Sequence, residues 1–184
     1  VAVGDFTGDG LPDLAFGGGG SSGGWIDLLP GKGDGTFDPA IRTGLVTGVP
    51  AVLVPGEFNG DGHQDLAAFD GYWFVLIAGD GDGTFSSPTV FPLPWVGGGG
   101  LNQSAAIAED IDLDGRLDFL IAGDWCQCAT ALLGKGDGTF VNGFVYAAHP
   151  GARGVAAADF NSDDKIDMAV ADDRGITFLM NNTP

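Results

Sequence analysis

Residues Asp5 to Asp13 read DFTGDGLPD, and the same nine-residue phrase returns as EFNGDGHQD at Glu57 to Asp65, DIDLDGRLD at Asp110 to Asp118 and DFNSDDKID at Asp159 to Asp167. The copies recur at intervals of about 50 residues, a period that marks repeat architectures in which each repeat is one supersecondary unit. A second phrase follows in three copies, GKGDGTF ending at Phe37, GDGDGTF ending at Phe85 and GKGDGTF ending at Phe140. The fourth repeat runs to Asn181-Asn182-Thr183-Pro184, where this second phrase is due.

Short apolar runs surround each nonapeptide. In the second repeat Ala51 to Val54 precedes it and Leu66 to Phe69 follows; Trp73 to Ala78 then leads into GDGDGTF, and Thr89 to Phe91 lies beyond. These runs read as four strands, a to d, and four short antiparallel strands per repeat make one propeller blade, whereas solenoid units are usually shorter. The composition agrees, because 34 glycines and 10 prolines in 184 residues supply turns and exclude a helical bundle. The expected fold is therefore all-β: a propeller, or part of one, over residues 1–184. Its four repeats fall at about 1–50, 51–103, 104–153 and 154–184, and the last blade is incomplete because it stops after its strand c, Ile176 to Met180.

The nonapeptide carries oxygen side chains at positions 1, 3, 5 and 9, usually with glycine at position 6. Calcium takes six to eight oxygens, and alternate positions of a tightly turning loop converge on one point. The four ligand sets are Asp5, Thr7, Asp9 and Asp13; Glu57, Asn59, Asp61 and Asp65; Asp110, Asp112, Asp114 and Asp118; Asp159, Asn161, Asp163 and Asp167. Position 7 would donate its backbone carbonyl, which leaves its side chain free to vary among Leu11, His63, Arg116 and Lys165. Two carboxylates about 4 Å apart repel by roughly 4 kcal/mol at an effective dielectric near 20, a cost that four loops in register would not accumulate without counter-ions. Magnesium demands a stricter octahedron and keeps more water, so the expectation is calcium, up to four ions. Thr7 brings a weaker oxygen at position 3 of the first loop, and Asp164 replaces glycine at position 6 of the fourth.

The pairing of DFxGDGxxD with GDGTF resembles the FG-GAP/VCBS repeats of integrin alpha-subunit propellers, of fungal and bacterial propeller lectins and of many secreted bacterial proteins. The resemblance covers nearly the whole chain. It implies a propeller with calcium in the a-b loops, and in the integrin relatives ligand contacts on the face formed by the b-c and d-a loops.

Other features narrow the function classes. A net charge of −18, with only 7 Lys and Arg, repels nucleic acid and anionic membrane surfaces. No stretch reads as a membrane-spanning helix, so membrane insertion is not expected. The chain lacks an initiator Met and a signal-peptide pattern at Val1, which reads as a beginning after processing or partway through a longer polypeptide. His63 occupies a carbonyl-donor position and His149 stands alone, so no Ser/His/Asp set is suggested and an enzyme is not expected. Cys126 and Cys128 flank Gln127 and either close a small strained disulfide or remain two thiols. An exported location favours the disulfide, and calcium loops favour export independently, so the protein is expected to be secreted or at the cell surface. All four tryptophans lie toward the b-c/d-a end. Trp25 and Trp73 start strand c and read as packing residues; Trp95 and Trp125, among Pro, Gly and polar neighbours, are the candidates for stacking on a ligand, beside the Gly97 to Gly100 run.

Two functional classes remain at this level. One is a recognition or adhesion module binding glycan or extracellular protein on the b-c/d-a face. The other is a structural module that builds a larger propeller or filament, in which the edge at Ile176 to Met180 pairs with flanking sequence or a second copy.

Overall fold

A computed structural model of the chain describes residues 1–20, 23–44, 48, 50, 52–69, 73–92, 103–123 and 127–181. Among the described residues fifteen strands form four antiparallel sheets, and within each sheet the strands pair in sequence order. The first sheet contains β1 (Ala2–Gly4), β2 (Asp13–Gly20), β3 (Gly23–Leu29) and β4 (Ile41–Gly44). The second contains β5 (Val52–Gly56), β6 (Asp65–Phe69), β7 (Trp73–Ile77) and β8 (Thr89–Pro92). The third contains β9 (Gln103–Glu109), β10 (Asp118–Gly123), β11 (Cys128–Gly134) and β12 (Phe140–Ala147). The fourth has three strands, β13 (Gly154–Ala158), β14 (Asp167–Asp172) and β15 (Gly175–Leu179). The expected all-β architecture, with a last blade one strand short, is what the chain adopts. No helix among the described residues is long and apolar enough to cross a membrane.

The chain divides into two compact units, Val1–Leu93 and Pro94–Pro184, each holding two sheets. In the first unit Ala2, Phe6, Ala15, Ile26 and Leu28 from one sheet meet Leu53, Leu66, Ala68, Val75 and Ile77 from the other. In the second, Ile111, Leu120, Ala122, Ala129 and Ala131 pack with Ala152, Met168 and Val170. The alternation follows from strand geometry: in β14, Met168 and Val170 are buried while Ala169 and Ala171 are less so.

The GDGTF phrase has a local mechanism. Asp34 Oδ1 accepts from the Thr36 amide at 2.9 Å and hydroxyl at 2.6 Å, and Asp82 with Thr84 and Asp137 with Thr139 repeat the arrangement. The amides of Lys32, Asp80 and Lys135 each donate to the carbonyl of the following threonine at 3.0 Å, closing the turn. The threonine hydroxyl holds the Asp34, Asp82 and Asp137 carboxyls below the usual carboxylate range.

Candidate metal centres

Each nonapeptide joins strands a and b of its sheet, and its ninth residue, the first residue of strand b, organises it. Asp13, Asp65, Asp118 and Asp167 are all fully buried. One oxygen of each accepts from the amide at position 2: Phe6 at 2.9 Å, Phe58 at 2.9 Å, Ile111 at 2.9 Å and Phe160 at 3.1 Å. The other accepts from the backbone at the end of strand c: Gly31 at 2.8 Å, Gly79 at 3.0 Å, Gly134 at 2.8 Å and Asn181 at 2.7 Å. The ninth carboxylate therefore ties the a-b loop to the backbone at or just after the end of strand c in each sheet, which in the first three is the start of the c-d turn. Position 2 completes the anchor by burying Phe6, Phe58 and Ile111.

Position 1 caps the loop from the other side. Asp5 and Asp110 accept the amides of positions 5 and 6, Asp159 accepts those of positions 4 to 6, and Glu57 reaches those of positions 3 and 4. This winding needs left-handed backbone at positions 4 and 6. Gly8, Gly10, Gly60, Gly62 and Gly115 supply it at no steric cost, while Leu113, Ser162 and Asp164 adopt it with φ of 61°, 64° and 65°. The departure at Asp164 therefore preserves the loop geometry.

In the first three loops the position 7 side chain lies over the c-d turn of its own blade. A Cβ built on Gly33, Gly81 or Gly136 would come within 3.0 Å of Leu11, 2.2 Å of His63 or 3.1 Å of Arg116.

Position 3 separates the loops chemically. In the second loop Asn59 Nδ2 donates to Asp61 at 2.9 Å and to Asp65 at 3.4 Å, and in the fourth Asn161 Nδ2 donates to Asp163 at 3.2 Å. An amide group thus offsets part of the carboxylate repulsion there, and a rotation of the same amide would present oxygen to a cation. In the first loop Thr7 Oγ1 is buried without a hydrogen-bond partner, an oxygen that a cation would satisfy. In the third, Asp112 has no hydrogen to give: oxygens of Asp110, Asp112 and Asp118 lie within 4.8 Å of one another. Asp114 is drawn aside by Arg116, whose Nη1 sits 3.3 Å from its Oδ2. Among the described residues this is the one group of three acidic side chains gathered closely enough for a metal. An all-oxygen set of this kind suits a hard cation.

Burial pushes the Asp65 and Asp118 carboxyls up, and the charges of Asp61 and Glu57 on the one and of Asp112 on the other add to it. A raised carboxyl favours its protonated form in the fold, so each of the two withdraws stability as pH rises through the carboxylate range. A cation bound beside them reverses that sign.

Trp95, Trp125, Cys126 and the Gly97 to Gly100 run lie outside the described residues. Cys128 is disulfide-bonded. Trp73 is 43% exposed. Trp25 lies over Gly18 of its own sheet, where a Cβ would meet the indole at 2.8 Å, and Arg42 stacks on its ring at 4.8 Å. Arg42 also grips the buried Asp27 through two hydrogen bonds of 2.6 and 2.7 Å, which hold that carboxyl below its usual range. Sequence reasoning missed this Trp25–Asp27–Arg42 group; its only trace there is an acid placed within an apolar strand.

The chain matches the FG-GAP-like repeat family over residues 5–68, 57–121 and 110–170. No curated protein matches it. Among solved structures it is similar to an Agrocybe aegerita lectin described as recognising non-reducing terminal N-acetylglucosamine, at 18% identity and a TM-score of 0.65. That likeness covers 98% of this chain and 48% of the lectin. It is also similar to a Photorhabdus luminescens Tc holotoxin pore chain, at 18% identity and a TM-score of 0.59, covering 96% of this chain and 8% of that one. The chain thus spans less than half the length of either, and both neighbours are propeller-type folds.

Proposed function

The chain belongs to the FG-GAP-like repeat family, and on that premise we propose that it is a secreted or cell-surface recognition module, a propeller stiffened by calcium that binds glycan or protein. Calcium is assigned to the four nonapeptide loops and the ligand to the opposite ends of the blades. The observation that carries the reading is the acidic a-b loop held in each blade by a buried ninth aspartate. Under this reading that end of each blade holds the metal, and the b-c and d-a connections at the other end serve recognition. Thirteen of the 25 acidic residues fall in the proposed ligand sets of the nonapeptides, and the proposal assigns none of them a catalytic role. The similarity to a lectin supports glycan as the first ligand class to test.

The test is a glycan array that includes chains ending in N-acetylglucosamine, probed with the wild type and with the double variant Trp95→Ala, Trp125→Ala. The wild type is expected to bind. The variant is expected to lose binding with its calcium content unchanged, because flat indoles stack on sugar rings while the metal loops lie at the other end. Normal binding by the variant would place the site elsewhere.

The assembly reading has its own observation. Ile176 and Phe178 are 64% and 52% exposed on β15, an outer strand of the three-stranded sheet, and Met180 just beyond it is 39% exposed. Under this reading a strand from outside residues 1–184 pairs along Ile176 to Met180, and the array gives no signal.

A further inference from the structure

The fifth residue of every nonapeptide is an aspartate, and one of its oxygens has the same partner in all four loops. Oδ1 of Asp9, Asp61, Asp114 and Asp163 accepts the amide at position 7, from Leu11, His63, Arg116 and Lys165, at 2.8 to 3.0 Å. The other oxygen is treated differently. In the second and fourth loops Oδ2 accepts from the side-chain amide at position 3, Asn59 at 2.9 Å and Asn161 at 3.2 Å. The third loop has Asp112 at position 3, and there Oδ2 of Asp114 accepts from Arg116 Nη1 at 3.3 Å.

The guanidinium reaches this oxygen because of where its stem lies. A Cβ on Gly136, in the c-d turn of the same sheet, would meet Arg116 Cδ at 3.1 Å and both Cγ and Nε at 3.4 Å, so bare backbone supports the side chain. Leu11 lies on Gly33 and His63 on Gly81 in the same way, but of these three Arg116 alone carries a permanent charge at its tip. That charge stands beside the loop in which Asp110, Asp112 and Asp118 bring oxygens within 4.8 Å of one another, with Asp114 outside the group.

We propose that Arg116 is a built-in counter-ion of the third loop, which competes with calcium for Asp114 and sets the affinity of that site below what its four carboxylates would give. The proposal rests on the assignment of calcium to the nonapeptides and deepens it. Aspartate at position 3 removes the neutral donor that the second and fourth loops use, and arginine at position 7 puts a cation in its place. Before Asp114 turns to the metal its bond to Arg116 must break, and the guanidinium then remains nearby as a like charge that repels the ion. The third loop can therefore empty without leaving its carboxylates uncompensated. Both side chains of the pair are partly exposed, so the expected effect is a several-fold change in affinity and not loss of the site.

Arg116→Met tests this, because it keeps an apolar stem on Gly136 and removes the charge. Calcium is titrated into the chelator-stripped 184-residue chain and its variants, with amide shifts followed by NMR. The Gly115 amide, which donates to Asp110 at 2.8 Å, reports the third loop, and the Gly10 amide, which donates to Asp5 at 2.9 Å, reports the first. The third loop of Arg116→Met is expected to half-saturate at about three- to tenfold lower calcium than that of the wild type. Arg116→Lys, which retains the charge, should stay within about twofold of the wild type. The first loop should titrate alike in all three proteins. Equal or weaker third-loop binding in Arg116→Met overturns the proposal and leaves the calcium assignment standing, and so does an equal shift of the first loop. Amides of Gly10 and Gly115 that ignore calcium in the wild type would overturn the assignment and the proposal together.

Discussion

Asp118→Ala is expected to weaken the fold even with all calcium chelated, whereas Asp114→Ala is expected to lose the third ion and leave the chelated protein nearly unchanged. The contrast follows from position. Asp118 is fully buried and accepts amides from Ile111 and Gly134 at 2.9 and 2.8 Å, so its removal strands two donors away from water. Each stranded group costs about 1–3 kcal/mol, and at roughly 2–4 °C per kcal/mol for a chain of this size the melting temperature should fall by about 5–20 °C. Asp114 accepts only from its near neighbour Arg116 and is partly exposed. Melting curves of both variants in excess chelator make the measurement. Equal curves would mean that the ninth position is not the structural anchor.

Removing calcium from the wild type should produce the other large effect. The third loop brings three carboxylates together with no side-chain donor between them, and in the second and fourth the side-chain donor is an asparagine amide. At free calcium 100 times the dissociation constant, each site adds about 2.7 kcal/mol, or roughly 5–10 °C. Differential scanning calorimetry with millimolar calcium and then with excess chelator should show a fall of at least that size. An unchanged melting temperature would leave the loops as metal-free turns.

Much of the fold was legible because its signals are local. The second repeat's strands, read as Ala51 to Val54, Leu66 to Phe69, Trp73 to Ala78 and Thr89 to Phe91, lie within about two residues of β5 to β8. The nonapeptides mark strand starts because position 9 is the first residue of strand b in all four sheets. What was not legible depends on distant partners. Which residues brace the ninth carboxylate is decided by the amides of Gly31, Gly79, Gly134 and Asn181, well over ten residues away. The sidelong pull of Arg116 on Asp114, the amide orientation of Asn59 and the Trp25–Asp27–Arg42 group depend on side-chain geometry that spacing does not encode.

Calcium counting by native mass spectrometry, on protein stripped with chelator and returned to millimolar calcium, tests the central assignment most directly. One ion per nonapeptide predicts saturation at four, with Asp114→Ala stopping at three. A chain that takes up no calcium, or a variant that still holds four ions, would contradict it.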